Sequence, residues 1–202
     1  MSFDKNIFIN CPFDKKYKPL LKALLFIILY LEFEPQISVT ESSSHSRITE
    51  IMRLIENSKY SIHDISRCEP LKIGELPRFN MPYEMGLDIG CSIYGTNEQK
   101  TKKCLILESV KNRYDMVISD ISGQDIKEHN DKPKKVIGKV LEWFAANKAI
   151  PIDQIPSLSK TWTKYLDCNA KIVVSLINSD YTIPEINDLS IPQYIHAMKS
   201  AL

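Results

Sequence analysis

The chain of 202 residues has few glycines, no paired cysteines and almost no net charge. With 6 glycines it contains neither a GxGxxG nor a GxxxxGK[ST] motif, which argues against a glycine-lined cradle for a dinucleotide or a triphosphate. Its 5 cysteines include no CxxC pair, and no HExxH motif or Cys/His cluster with metal-ligand spacing occurs. The sequence therefore predicts no metal site and no resident cofactor.

Charge and hydropathy exclude two further classes of partner. A net charge of +1 lacks the basic excess of a nucleic-acid binder, so we expect no nucleic-acid partner. The most apolar segment, residues 20–31, is 12 residues long. As a helix it would span only about 18 Å of the roughly 30 Å of a bilayer, so we expect a buried helix and no membrane association. The odd cysteine count and an N-terminus without a signal-peptide pattern predict a cytoplasmic protein.

Strand and helix patterns alternate along the first 150 residues. Apolar and β-branched runs predict strands over 6–10, 36–39, 60–65, 104–108 and 115–120. Residues from about 15 to 32, 47–57, 80–93 and 133–147 are predicted helices. This alternation predicts an α/β fold with a doubly wound, mostly parallel sheet that helices cover on both faces.

The remaining segment is punctuated by prolines and is predicted to be helical. Helices are expected over 159–177 and 192–201. We interpret residues 1–150 as the α/β domain and residues 151–202 as a helical C-terminal extension that covers the same core.

Polar residues follow the predicted strands at the edge where ligands bind in open parallel sheets. The first strand leads into the loop Asn10, Cys11, Pro12, Phe13 and Asp14, and the strand over 60–65 leads into Asp64 and Ser66. The strand over 104–108 leads into residues 108–111. Asn80 and Glu84 join this set if the helix that they open points back over the same edge. Two carboxylates that face one pocket, Asp64 and Glu84, suit chemistry at an oxocarbenium-like carbon.

Each of these residues also has an ordinary structural interpretation. Asp64 could cap a loop, and Glu84 could be a carboxylate that favours a helix N-terminus. Asp88 lies four residues after Glu84 on the same helical face, and we expect it to be solvated. Cys11 is interpreted as a bystander thiol, because the Cys-x5-Arg phosphate cradle is absent and Tyr17 stands in place of the arginine.

Three segments together resemble the nucleoside 2-deoxyribosyltransferase-like and TIR-like superfamily. They are residues 7–13 (IFINCPF), 60–66 (YSIHDIS) and 80–87 (NMPYEMGL), so the resemblance covers about residues 6–110. It implies a flavodoxin-like fold in which Glu84 acts on the anomeric carbon of a nucleoside or of NAD. It also implies that Asp64 contacts the base or the sugar. Related enzymes complete their sites across subunits, so the resemblance allows a homo-oligomer.

One position departs from the pattern of the transferases. They often carry an aspartate about six residues before the catalytic glutamate, where this chain has Arg78. An arginine suits a phosphate or a carboxylate better than a neutral base, which favours a nucleotide, or NAD with its pyrophosphate, as ligand.

Three functions are compatible with these observations. The first is cleavage or transfer of an N-glycosidic bond of a nucleoside, a nucleotide or NAD, with Glu84 and Asp64 as catalytic residues. Asn10, Cys11, Pro12, Phe13, Ser66, Arg78 and Asn80 would then bind the substrate, and no metal would take part. The second is a non-catalytic nucleotide-binding or signalling module, and the third is a protein-interaction domain.

Overall fold

The computed structural model describes residues 2–38, 46–67, 74, 76–121 and 123–202. Five strands within these residues form one sheet: β1 (Asn6–Asn10), β2 (Glu34–Gln36), β3 (Tyr60–Asp64), β4 (Lys103–Glu108) and β5 (Lys127–Glu128). All four strand pairs are parallel, and the order across the sheet is β2-β1-β3-β4-β5. This order is the flavodoxin-like one, so the predicted doubly wound α/β fold is confirmed.

Seven helices flank the sheet in the described part of the chain. They are α1 (Lys18–Tyr30), α2 (Arg47–Glu56), α3 (Asn80–Tyr94), α4 (Pro133–Ala146), α5 (Leu158–Ile177), α6 (Ile183–Asn187) and α7 (Ile191–Ala201). The helices predicted from hydrophobic periodicity are all present, with ends that differ by a few residues. No helix among the described residues combines the length and the hydropathy needed to cross a membrane.

The predicted strand over 115–120 is wrong. This segment forms two 3₁₀ turns, Arg113–Met116 and Ser119–Ile121. Asn112 enters the first turn in the left-handed region at φ 60°, and the Tyr114 carbonyl closes the turn by accepting the N–H groups of Val117 and Ile118 at 3.0 and 2.8 Å. The fifth strand comes later, as the two residues of β5.

Helix α1 is buried on nearly all sides, which explains its continuous apolar sequence. One side packs on the sheet beside α4, and α5 and α7 pack on α1 as well. Tyr165 and Cys168 of α5 and Met198 of α7 join the same hydrophobic cluster as α1 and the strands. The C-terminal helices therefore add a further layer to the core on this face of the sheet.

The opposite face of the sheet is covered by α2 and α3 over two smaller clusters. Phe8 of β1 packs with Ile51, Leu54 and Ile55 of α2. Met81 and Met85 of α3 pack with Ile106 of β4 and with apolar residues of the loops that follow the strands. These contacts fix the start of α3, and with it Glu84, over the carboxyl edge of the sheet.

Candidate functional site

The carboxyl ends of β1 and β3 meet at the point where the strand order reverses. The chain leaves β1 towards β2 on one side and returns to β3 on the other, which is where open α/β sheets bind ligands. Asn10 ends β1 and Asp64 ends β3. The structure therefore brings these predicted site residues to one edge, where α3 also begins.

Glu84 is a nearly buried carboxylate without a bonding partner. It is the fifth residue of α3 and is 7% exposed. Within the described part of the chain, no group forms a hydrogen bond or an ion pair with its side chain. Burial raises the pKa of Glu84, and the positive charge of Arg47 lowers it in part. A carboxylate in this state is available to a ligand, because nothing described in the protein competes for its oxygens.

Asp64, by contrast, is fully buried, and both of its carboxylate oxygens accept hydrogen bonds. Its Oδ2 accepts the hydroxyl of Tyr17 at 2.6 Å and lies 3.0 Å from Nε2 of His129, and its Oδ1 accepts the peptide N–H and the hydroxyl of Ser66. Burial opposes the charge, but the His129 and Ser66 donors prevail and lower the pKa of Asp64. Asp64 is therefore an ionised carboxylate whose orientation is fixed by protein groups.

The tautomer of His129 follows from the hydrogen bond that its Nδ1 atom accepts. Nδ1 accepts the peptide N–H of Asp131 at 3.1 Å, so the proton of the neutral ring is on Nε2 and points to Asp64. The Ser66 hydroxyl lies 3.0 Å from the same Nε2. These residues close a buried network around Asp64.

Cys11 lies within the electrostatic reach of both candidate catalytic carboxylates. Burial raises the pKa of its thiol, and the charges of Asp64, Glu84 and Asp14 raise it further. The thiol is therefore held in its neutral form, which is a poor nucleophile. This agrees with the interpretation of Cys11 as a bystander, and it shows that Asp64 and Glu84 share one neighbourhood.

A second buried network lies on the α3 side of β3, and it corrects one expectation. Asp88 is 2% exposed, so the expectation that it is solvated is wrong. Its Oδ2 accepts the hydroxyl of Ser61 at 2.5 Å and lies 3.1 Å from Nε2 of His63, and its Oδ1 lies 3.0 Å from Nζ of Lys102. Burial opposes ionisation, yet His63 and Lys102 lower the pKa of Asp88 to about 2. Asp88 is an internal counterion.

Asn10 connects this network to the start of α3. Its Nδ2 group donates to Nδ1 of His63 at 2.9 Å and to the carbonyl oxygen of Met81 at 2.8 Å. Burial lowers the pKa of His63, whereas the neighbouring Cys104 and Asp88 side chains raise it, and the net direction is upward. An amide N–H group can donate to Nδ1 only when that nitrogen carries no proton, which requires the neutral ring. Rotation of the Asn10 amide would place its oxygen beside the Met81 carbonyl oxygen, and two acceptors repel each other. The contacts of Nδ1 thus favour the neutral ring, with its proton on Nε2 facing Asp88, over the charged ring that a raised pKa would give.

One group of side chains has the spacing of metal ligands. Potential ligand atoms of His63, Asp88 and Cys104 all lie within 4.8 Å of one another. Asp88 already pairs with the buried ammonium group of Lys102, so this cluster is electrically neutral when the thiol is protonated. The absence of a metal remains a prediction.

The other predicted binding residues differ in accessibility. Pro12 and Ser66 are buried, and Ser66 serves Asp64. Phe13 is 44% exposed, and Arg78 and Asn80 are exposed in front of and at the start of α3. The peptide N–H of Arg78 donates to the carbonyl of Arg67 at 3.4 Å, which places Arg78 beside the loop that follows β3.

Several residues of this edge were missed in the sequence. Arg67 pairs with Asp14 at 2.9 Å, and Arg113 pairs with Glu108 at 2.5 Å and donates to the Ser66 carbonyl at 2.8 Å. The position of Arg67 just after β3 is a signal that the strand-end rule could have used. Tyr17 and His129 offered no such signal, because they reach Asp64 from other elements of the chain.

Comparison of the chain with protein-family models, with curated proteins and with solved structures finds no match. The fold and the geometry of the site are therefore the basis for inferring a function.

Proposed function

We propose that this protein cleaves or transfers the N-glycosidic bond of a nucleoside, a nucleotide or NAD, with Glu84 as the catalytic carboxylate. The observation that carries the proposal is the state of Glu84, which is nine-tenths buried, has no partner among the described residues and lies over the strand ends. The resemblance to the nucleoside 2-deoxyribosyltransferase-like and TIR-like superfamily assigns the same residue.

The environment of Glu84 suits a reaction that develops positive charge. When the bond between the anomeric carbon and the base nitrogen breaks, the base leaves with the electron pair and the sugar becomes oxocarbenium-like until water or a second base adds to it. The base of a neutral nucleoside takes up a proton from solvent as it leaves, whereas the cationic nicotinamide of NAD leaves as a neutral molecule without one. A carboxylate in a poorly solvated position stabilises that charge more strongly than one in water. Glu84 acts either as this stabiliser or as a nucleophile whose glycosyl ester is then opened by water or by a second base.

The two carboxylates have different roles in this proposal. The environment of Glu84 raises its pKa, and the environment of Asp64 lowers its pKa. Paired carboxylates with different functions in one site commonly differ in this way. Asp64 is a positioning residue, because its oxygens hold Tyr17, Ser66 and His129. Contact of Asp64 with the base or the sugar would need one of these bonds to open.

The test is detection of free base after incubation of the protein with NAD and with a panel of nucleosides and nucleotides. The Glu84→Gln variant removes the charge and keeps the shape, and Glu142→Gln on the outer surface of α4 is the matched control. We expect base from the wild type and from the control, and none from Glu84→Gln. Release that survives Glu84→Gln would refute the role of Glu84.

Absence of product across the panel, with measurable ligand binding, would instead support the non-catalytic nucleotide-binding module. That outcome is the reason to measure ligand binding on the same samples.

A further inference from the structure

The arginines of this chain are concentrated at the carboxyl edge of the sheet. The chain has five of them, at positions 47, 53, 67, 78 and 113. Arg47 begins α2 and Arg78 precedes α3, while Arg67 and Arg113 follow β3 and β4. Only Arg53, in the last turn of α2, lies away from this edge. Arginine presents a planar fork of donors that matches phosphate and carboxylate groups.

Three of the five arginines are neutralised by carboxylates of the protein. The ion pairs are Arg53 with Glu50 at 2.8 Å, Arg67 with Asp14 at 2.9 Å and Arg113 with Glu108 at 2.5 Å. Arg47 and Arg78 are both exposed and form no ion pair with any residue that the structure describes. These two guanidinium groups are thus free to bind an anion from solution.

The charge of Arg47 influences the carboxylate of Glu84. Helix α2 packs against α3, and both helices begin at the carboxyl edge. The charge of Arg47 lowers the pKa of Glu84, which places the guanidinium within electrostatic reach of the unpartnered carboxylate. Arg47 therefore lies on the α2 side of Glu84, and Arg78 precedes α3 beside the loop that follows β3.

The local charges of both helix starts also favour an anion. The first turn of α3 contains no acidic residue. The first turn of α2 contains Glu50, whose negative charge is neutralised by two hydrogen bonds from Arg53 in the following turn. The peptide N–H groups of a helix N-terminus add a partial positive charge. Glu84, nine-tenths buried and without a partner among the described residues, is an independent observation that suits a ligand at this position.

We propose that the substrate is a nucleotide whose phosphate groups bind Arg47 and Arg78, and that an uncharged nucleoside is a poor ligand. This inference rests on the proposed function, because it assumes that the sugar lies at Glu84. A 5′-monophosphate and the pyrophosphate of NAD share this chemistry, and the experiment separates them.

Ligand affinity is measured by calorimetry on the Glu84→Gln protein, so that turnover does not interfere. The ligands are adenosine, its 5′-monophosphate, NAD and inorganic pyrophosphate. We expect the phosphorylated ligands to bind at least about tenfold more tightly than adenosine, since a charge-assisted hydrogen bond contributes that much or more. The preferred phosphorylated ligand identifies the monophosphate or the dinucleotide, and its affinity should fall as salt is added.

The variants Arg47→Gln and Arg78→Gln are compared with Arg53→Gln, an exposed and paired arginine of the same helix as Arg47. Each of the first two should weaken the phosphorylated ligands by about tenfold and leave adenosine within about twofold, whereas Arg53→Gln should change neither. All three positions are exposed, so unchanged thermal unfolding is expected and serves as the check of folding.

The two proposals fail in different ways. Equal affinity for adenosine and its monophosphate, or equal behaviour of Arg47→Gln and Arg53→Gln, would overturn the phosphate site while leaving the role of Glu84 intact. Pyrophosphate binding that depends on Arg47, without release of base by the wild type, would uphold the phosphate site and refute the glycosidic reaction. A failure of pyrophosphate and of every nucleotide to bind would overturn the phosphate site.

Discussion

Two regions of this molecule treat a buried carboxylate in opposite ways. Beside β3, Asp64 and Asp88 are surrounded by donors that hold them ionised. At the start of α3, Glu84 is almost as buried and has no such donor among the described residues. Burial alone is costly to a charge, and proteins normally offset the cost with partners. Asp64 and Asp88 are thus compensated by the fold itself, whereas the cost at Glu84 is not offset by any described residue, as the proposed role of Glu84 requires.

The largest expected effect is on turnover at Glu84. Glu84→Gln should lower the rate of base release by about 10³-fold or more, since the charge that stabilises the transition state is removed. The free energy of unfolding should stay equal or rise, because an unpaired buried charge has been removed. Rates come from chromatography and stability from urea unfolding. A large loss of stability would show that Glu84 is structural after all.

The next largest effect is on stability at Asp88. Asp88→Asn should lower the free energy of unfolding by about 3–5 kcal/mol, because the buried ammonium group of Lys102 loses its counterion. Urea unfolding measures the change, with the exposed Asp167→Asn as control. Combining Asp88→Asn with Lys102→Met should recover much of the loss. No recovery would contradict the assignment of Asp88 as a counterion.

Asp64→Asn should be less costly. The amide nitrogen replaces either Oδ2, and then faces the donors of Tyr17 and His129, or Oδ1, and then faces those of Ser66. Leaving such groups unsatisfied costs about 1–3 kcal/mol. Equilibrium unfolding gives the change. Turnover should fall less than in Glu84→Gln, because Asp64 acts through its neighbours. Equal losses of turnover in the two variants would show that Asp64 contacts the substrate.

The pH dependence of stability should separate the two kinds of carboxylate. The lowered pKa of Asp64 makes its contribution present above the unfolded value of about 3.9 and lost as the pH falls through the folded value. The raised pKa of Glu84 has the opposite sign: its contribution is present below about 4.3 and is lost as the pH rises through the folded value. The stability of Glu84→Gln relative to wild type should therefore increase from pH 4 to about 7. A constant difference would contradict the raised pKa.

The smallest effect is expected at Cys11. Burial and the charges of Asp64 and Glu84 raise the pKa of its thiol, but the proposed reaction does not use the thiol. Cys11→Ala should retain most of the turnover and cost about 1 kcal/mol of stability for the lost packing. The thiol should react slowly with alkylating reagents at neutral pH, because its pKa is raised. Loss of turnover without loss of folding would make Cys11 a participant.

The fold was predictable because its main elements carry strong local patterns. Strands β1 and β3 are buried throughout and β4 is buried over its last four residues. Helix α1 is apolar on nearly all sides, and α4 has a clear apolar face. Strand β5 was not predictable, since two charged residues, Lys127 and Glu128, carry no hydrophobic period. Its place in the sheet is set by pairing with the end of β4.

The site was predictable only in part, for a related reason. The strand-end rule places Asn10, Asp64 and Glu84 at one edge, because each is defined by its position along a single element. The partners of the buried carboxylates come from distant elements. Lys102 meets Asp88 across the interior, and His129 meets Asp64 from beyond β5. No local pattern in the chain marks such pairs.

The enclosure of α1 has a consequence for biosynthesis. This helix is synthesised well before α5 and α7, which cover part of it. The nascent chain therefore carries an incompletely covered apolar helix until α5 and α7 have been made, the condition under which partly folded chains aggregate or engage chaperones. A chain cut after α4 would keep the five described strands and still expose this apolar surface permanently. Residues 151–202 are therefore needed to keep the surface of α1 away from solvent.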